Sequence, residues 1–565
     1  MLRGHDVLFA AAVVAVLGCG NSSKQSVKAD DAGAKFRGTA AEPKRPRLVV
    51  LVVIDQLPSW RFESDQKALT GGLRRLIDAG LYVPRAEFPY AATFTAPGHA
   101  ALCTGAPPSV TGILANGWYD RETQSKVGAV ADPASPSFWL AASGPKPTGE
   151  PEGISGRRLQ VDGVGDVLRT ETDGKGKSIA IGLKERASVV ALGRKPTLAL
   201  WYDERQGALT TSSWYAANAP AWLEQLAADK PPSKYFREVW TPGDEKRLAE
   251  LSGNQDEGPG EGVNYGLNTV FPHSLAESGE AAKAIRATPW GTQIVFDGAV
   301  AAIEGEALGQ DDTPDLLALT FSSHDYAGHY WGQESWERLD LLLDLDQRLG
   351  ELLDELDRRI GKDHYAVVVS SDHGATPMVE QSVAAGKKAR RVLVADIVAA
   401  ANRAAVKVLG VGNWVDEFSA STLYMTEAFR GRPAGRQNAA LDAIARAVIE
   451  VDGIGYAART DQLAGDCDAR DGLDALACRS IQPGQSGDIF VVPDRYCITT
   501  TSYTTGTSHG TASDEDRFVP IIVYAPGVKA GVRTEPTSVL QVAPTVSRLL
   551  RIKPPAAALA PSLVD

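Results

Sequence analysis

The segment Arg47–Asp55, RLVVLVVID, is a run of aliphatic and β-branched residues that ends on a lone carboxylate. Its apolar positions leave no polar face, so it reads as a strand covered on both sides, as at the centre of a parallel sheet. Similar runs recur: KSIAIGL at 177–183, TLALWY at 197–202, DLLALTF at 315–321, YAVVVS at 365–370 and VPIIVYA at 519–525. Helical periodicity alternates with them, most clearly in SWERLDLLLDLDQRLGELLDELDRRI at 335–360 and SVLQVAPTVSRLL at 538–550. Strands alternating with amphipathic helices predict an α/β fold with a mostly parallel central sheet flanked by helices. Ligands of such sheets sit beyond the carboxyl ends of the strands, which is where Asp55 falls.

Two stretches break this rhythm, at about 117–175 and 205–300, and are rich in Gly, Pro, Trp and polar residues. They read as insertions that form a cap over the site of one catalytic domain spanning 46–565. Residues 20–45 are polar, lack apolar periodicity and predict a flexible tether. Before them, Arg3, the apolar run VLFAAAVVAVLG at 7–18 and Cys19 predict a signal peptide ending in a lipobox over 1–19. The protein is therefore expected outside the cytoplasm of a bacterium, as a periplasmic or outer-membrane lipoprotein, with membrane contact only through that anchor. In an oxidising compartment Cys467 and Cys478 are expected to pair and Cys103 to remain a buried thiol.

The chain carries 58 Lys and Arg against 70 Asp and Glu, a net charge of −12. Broad electrostatic binding to nucleic acid is therefore not expected, and an anionic substrate must be attracted locally.

The candidate chemistry lies where Asp and His meet strand ends. Asp55 ends the first strand, HDYAGH at 324–329 follows DLLALTF, Asp372 and His373 follow YAVVVS, and His509 precedes VPIIVYA. Asp325 and His329 are four apart, so one helical turn sets both on one face. A tight turn at Gly374 lets Asp372 and His373 address one centre. This oxygen and nitrogen set is too large for one tetrahedral zinc and suits two metal ions about 4 Å apart. In TFTAPGHAALCTG at 93–105 a threonine hydroxyl stands at a helix start, where it either caps the helix or attacks an anion held by the free amides.

In this order the motifs resemble the alkaline phosphatase superfamily, and within it the phosphate-irrepressible alkaline phosphatases of the PafA type, over nearly the whole mature chain. The resemblance implies a three-layer sandwich and two Zn2+, one bound by Asp325, His329 and His509, the other by Asp55, Asp372, His373 and the hydroxyl of Thr95. The x-P-x-H pattern of the related nucleotide pyrophosphatases selects Thr95 over Thr93 as nucleophile, and the asparagine 21 residues later is Asn116. Lys184 and Arg186, the K-x-R of this family, are implied to bind the transferred phosphoryl group together with Asn116, and an extended backbone would point both cations to one side. The implied activity is hydrolysis of small phosphate monoesters through a phosphothreonine intermediate, with release of inorganic phosphate. A phosphodiesterase or nucleotide pyrophosphatase with the same metals is the alternative, and a non-catalytic surface lipoprotein is a remote one.

Overall fold

Strand Leu48–Ile54 is buried along its whole length at the middle of a ten-stranded sheet. Leu48, Val50, Val52 and Ile54 enter one hydrophobic cluster, and Val49, Leu51 and Val53 enter the other. With a side-chain period of two, a strand covered on both faces must be apolar at every position. The structure, a computed structural model, describes residues 44–146, 148–502 and 505–565. The expected signal peptide and lipobox, and all of the tether but its last two residues, lie outside the described residues.

Five strands form the parallel centre, in the order Tyr365–Ser370, Leu48–Ile54, Asp315–Phe321, Ser178–Gly182 and Leu198–Asp203. Two strands run against them. Ala208–Thr210 closes one edge, and Phe518–Tyr524 lies between Tyr365–Ser370 and Leu81–Glu87, antiparallel to both. The sheet is thus mixed around a parallel core. The reversal of Phe518–Tyr524 puts its N-terminal end at the edge where the parallel strands have their carboxyl ends, so the loop before it, which carries His509, reaches that edge.

Helices cover both faces. On one lie Gly72–Ala79, Pro289–Gly305, Ser323–Trp331 and Trp336–Arg359; on the other lie Thr95–Thr104, Val164–Glu171, Glu185–Val190 and Val542–Leu550. Trp336–Arg359 shows how pattern becomes packing. Leu342, Leu345, Leu349, Leu352, Leu353 and Leu356 recur at three- and four-residue spacing and are buried. Ser335 caps its start by accepting from the Arg338 amide, and Arg358 and Arg359 stand in its last turn, where the helix dipole favours cations.

Parts of the two stretches read as insertions belong to this frame. Helices Val164–Glu171 and Pro289–Gly305 pack on the sheet, and Ala208–Thr210 is its edge strand. Conversely, a region between the metal-site loops carries its own small sheet, Val415–Ser419, Thr422–Met425, Ile489–Pro493 and Ile454–Arg459, packed with helices Val394–Leu409 and Ala434–Ile449 around a separate core. Sequence reading had not separated it from the main domain. Two of its strands, Val415–Ser419 and Ile454–Arg459, are half-exposed and lack the continuous apolar run of the central ones, and the buried pair, Thr422–Met425 and Ile489–Pro493, is only four and five residues long. Cys467 and Cys478 form the expected disulfide, and Cys103 is a buried free thiol.

Helix Thr95–Thr104 sits so close to the sheet edge that a Cβ added to Gly98 would lie 1.9 Å from the Asp372 carbonyl oxygen. Backbone against backbone cannot give way cheaply. Gly98→Ala is expected to cost about 1–3 kcal/mol or more through overpacking, seen as a lowered thermal midpoint; an unchanged midpoint would refute this account of the contact.

Candidate active site

The carboxyl ends of four central strands and two loops deliver the functional side chains to one place. Asp55 follows Leu48–Ile54, Asp372 and His373 follow Tyr365–Ser370, Lys184 follows Ser178–Gly182, and Asp325 and His329 lie on the helix Ser323–Trp331 that follows Asp315–Phe321. Thr95 is the first residue of helix Thr95–Thr104.

Two clusters result. Asp325, His329 and His509 have ligand atoms within 4.8 Å of one another, with His329 Nε2 3.4 Å and His509 Nε2 3.8 Å from Asp325 Oδ1. Asp55, Asp372 and His99 form the second at the same spacing. His373 borders both: its Nε2 is 3.2 Å from Asp372 Oδ2 and 3.5 Å from Thr95 Oγ1, and its ring stacks on His509 with centroids 3.5 Å apart.

The imidazoles are oriented by the backbone. Nδ1 of His329 donates to the Thr507 carbonyl at 3.1 Å, that of His509 to the Thr93 carbonyl at 2.7 Å, and that of His373 to the Gly374 carbonyl at 2.8 Å. Each ring so held turns its Nε2 inward, the orientation a metal ligand needs. Thr93 is structural, its hydroxyl donating to the Thr511 carbonyl at 2.9 Å. Asp516, wholly buried, accepts from the Thr376 hydroxyl and the Thr511 amide, both at 2.9 Å, and so ties the His373 turn to the His509 loop. Burial pushes its carboxyl up to about 6 against those hydrogen bonds.

The acids at the centre behave oppositely. Burial alone would raise Asp325, but Lys184 and the imidazoles of His329, His509 and His373 outweigh it and hold the carboxyl well below the usual carboxylate range. Asp55 is likewise buried and held down by Lys184 and His99. Yet Asp55 Oδ1 and Asp372 Oδ2 are buried with no hydrogen-bond partner among the described residues. Unpartnered buried carboxylate oxygens are costly. Together with inward imidazole nitrogens and no thiolate, they fit divalent cations with a preference for nitrogen and oxygen donors, as zinc has.

The phosphoryl-binding candidates also come here, with one change. Lys184 is buried, and its Nζ donates to Asp325 Oδ2 at 2.5 Å and to Asp55 Oδ2 at 3.2 Å, so it spans the two clusters. Asn116 Oδ1 accepts the Ala96 amide at 2.8 Å, which leaves its NH2 group as a donor beside Thr95. Lys184 and Arg186 do not share an extended segment: Lys184 is the N-cap of helix Glu185–Val190 and Arg186 lies in its first turn. The cap carbonyl starts the helix through Ala187 and Ser188, so the alternation expected of a strand is lost. The charges of both nevertheless act on Asp325 and Tyr326.

Three residues here were not singled out from sequence. His99 lies one helical turn after Thr95, with Nδ1 3.0 Å from the Thr95 carbonyl and Nε2 3.4 Å from Asp55 Oδ1; its spacing of four from the hydroxyl was the available signal. Gln56 donates its amide to Asp372 Oδ1 at 3.0 Å and its side chain to Asp325 Oδ1 at 3.2 Å, with a backbone φ of 61°. A glutamine after a strand gave no such signal, and its left-handed backbone is held only because both carboxylates are in place. His324 donates from Nδ1 to the Asp55 carbonyl at 3.1 Å and is buried, which lowers its pKa to about 3.

Comparison with known proteins agrees with this fold. Alkaline phosphatase PafA of Elizabethkingia meningoseptica is 28% identical over 530 residues, covering 92% of this chain and 94% of that protein. Alkaline phosphatase PhoV of Synechococcus elongatus is 28% identical over 570 residues, covering 98% of both. The crystal structure of wild-type PafA superposes with a TM-score of 0.83 at 26% identity, over 92% of this chain and 98% of that one. The family model described as type I phosphodiesterase/nucleotide pyrophosphatase matches residues 49–511, a span that runs from the central strand through His509, and the chain belongs to that family.

Proposed function

We propose that the protein is a zinc-dependent phosphomonoesterase in which the Thr95 oxygen attacks phosphorus, the P–O bond to the ester's alcohol breaks and the alcohol leaves, and water then hydrolyses the phosphothreonine to release inorganic phosphate and restore the hydroxyl. The observation that carries the monoester reading is Lys184, a buried cation between the two carboxylate clusters. A monoester dianion keeps charge on non-bridging oxygens that a diester masks, so fixed cations at that point favour monoesters. Asp325, His329 and His509 would hold one Zn2+; Asp55, Asp372, His373 and the Thr95 oxygen would hold the other. When bound, the ions supply Lewis-acid stabilisation of entering and leaving oxygens and make the hydroxyl acidic enough to react near neutral pH.

The chain supplies the rest. Thr95 presents its oxygen at a helix start whose amides and dipole favour anions. Asn116 donates from its NH2 group, and Lys184 and Arg186 bind the remaining phosphoryl oxygens. The insertion residues Tyr265 and Arg286 lie nearby: the Arg286 guanidinium is 5.1 Å from the Tyr265 ring and 4.9 Å from the ring of Tyr326, the neighbour of Asp325. Export, with Cys19 as a lipid anchor, rests on the N-terminal apolar run and is supported by the Cys467–Cys478 disulfide. No helix among the described residues is long and apolar enough to cross a membrane.

A phosphodiesterase is the second reading, because the matching family model is described by that activity. Comparing kcat/KM for an aryl phosphate and its methyl diester on zinc-loaded protein decides between them, and a higher value for the diester would overturn the monoester assignment.

Thr95→Ala is expected to retain zinc by elemental analysis and to lose about 10^3-fold or more in kcat; near-parental turnover would remove Thr95 as nucleophile. Replacing Lys184 and Arg186 together with alanine is expected to lower monoester kcat/KM by about 10^2–10^3-fold or more, with a much smaller loss for the diester. Equal losses would exclude the discriminating role. Chelation is expected to abolish hydrolysis, and zinc to restore it better than magnesium, measured with the same aryl phosphate.

A further inference from the structure

A second cationic site lies outside the metal centre. A cavity of about 560 Å³ opens between the hairpin Gly117–Asp120/Ser125–Gly128, the segment 157–160 and the loop 484–485 of the small-sheet region, and it shares no residue with the metal clusters. Arg121, Arg157 and Arg158 line it, with the amides of Gln160 and Gln485. Three guanidinium groups gather on this cavity, two of them paired with carboxylates, Arg121 with Asp488 and Arg157 with Asp132.

The three arginines are not equally engaged. Arg157 donates to Asp132 at 3.1 Å, and Arg121 donates to the Ser486 carbonyl at 2.9 Å and to Asp488 at 3.2 Å. Arg121 Nη1 is nevertheless buried without a partner. Arg158 has no hydrogen-bond or carboxylate partner among the described residues, and its Nε is buried. Asp120 and Glu122 also line the cavity, but Asp120 Oδ1 already accepts the turn amides of Glu122 and Thr123 at 2.8 and 3.1 Å. A planar fork of donors matches the tetrahedral oxygens of a phosphate.

We propose that this cavity binds a phosphate-bearing small anion, with Arg158 as its main donor. The ligand is either inorganic phosphate or an intact phosphate ester; both present the same terminal oxygens. The site is separated from Asn116 by the single strand Gly117–Asp120 and adds nothing to the chemistry there.

Isothermal titration of the zinc-loaded full chain tests this, with inorganic phosphate in one arm and a non-hydrolysable aryl phosphonate in the other. For at least one probe the parent is expected to bind one equivalent more than Arg158→Gln, or to bind that equivalent about 10- to 100-fold more tightly. Loss in the phosphate arm identifies the free anion as ligand; loss confined to the phosphonate arm identifies an ester. Arg158→Lys, which keeps the charge and loses the fork, should be intermediate and guards against misfolding of the glutamine variant. Identical stoichiometry and affinity in parent and both variants, for both probes, would overturn the proposal. The comparison reads a difference at Arg158, so it stands whether or not the monoesterase reading does.

Discussion

Three carboxylates, Asp55, Asp325 and Asp372, are buried side by side at the edge of one sheet. Bringing ionised acids together out of water is among the costliest arrangements a fold can hold, and it persists only if fixed positive charge or metal is built around it. Lys184 meets part of that demand by bridging Asp55 and Asp325. The rest is left to Asp55 Oδ1 and Asp372 Oδ2, which are buried without hydrogen-bond partners among the described residues, in clusters whose donors could hold divalent cations.

The frame accommodates this by rigidity. Each acid or imidazole is carried by the end of a central strand or by a turn anchored to backbone carbonyls, and Gln56 joins Asp372 to Asp325 at the price of a left-handed backbone. Helix Thr95–Thr104 approaches through Gly98, so its first hydroxyl arrives beside His373 and not on the far side of a side chain. The stacking of His373 on His509 links two loops that are more than a hundred residues apart in the chain. Asp516 ties the same two loops from below.

The small-sheet region and the hairpin after Asn116 have their own contacts, with the Tyr119 hydroxyl donating to Asp416 at 2.7 Å and Arg121 lying 4.8 Å from the Tyr424 ring. These contacts shape the space beyond the metal centre without entering it. They also explain why local pattern failed there: strands of four to six residues, two of them half-exposed, are defined by their partners more than by an apolar run of their own.

Sequence by itself determined the central strands, the long leucine-patterned helix and the residue types of both clusters, because buried strands must be apolar throughout and metal chemistry draws on few side chains. The Cys467–Cys478 pair was legible for the same kind of reason, a short loop between two cysteines. Only the tertiary structure decided that Phe518–Tyr524 runs backwards and so brings His509 to the site, that Lys184 caps a helix and spans two carboxylates, and that His99 and Gln56 belong to the centre. Those outcomes depend on which ends of distant segments meet at one sheet edge, and no local periodicity encodes that.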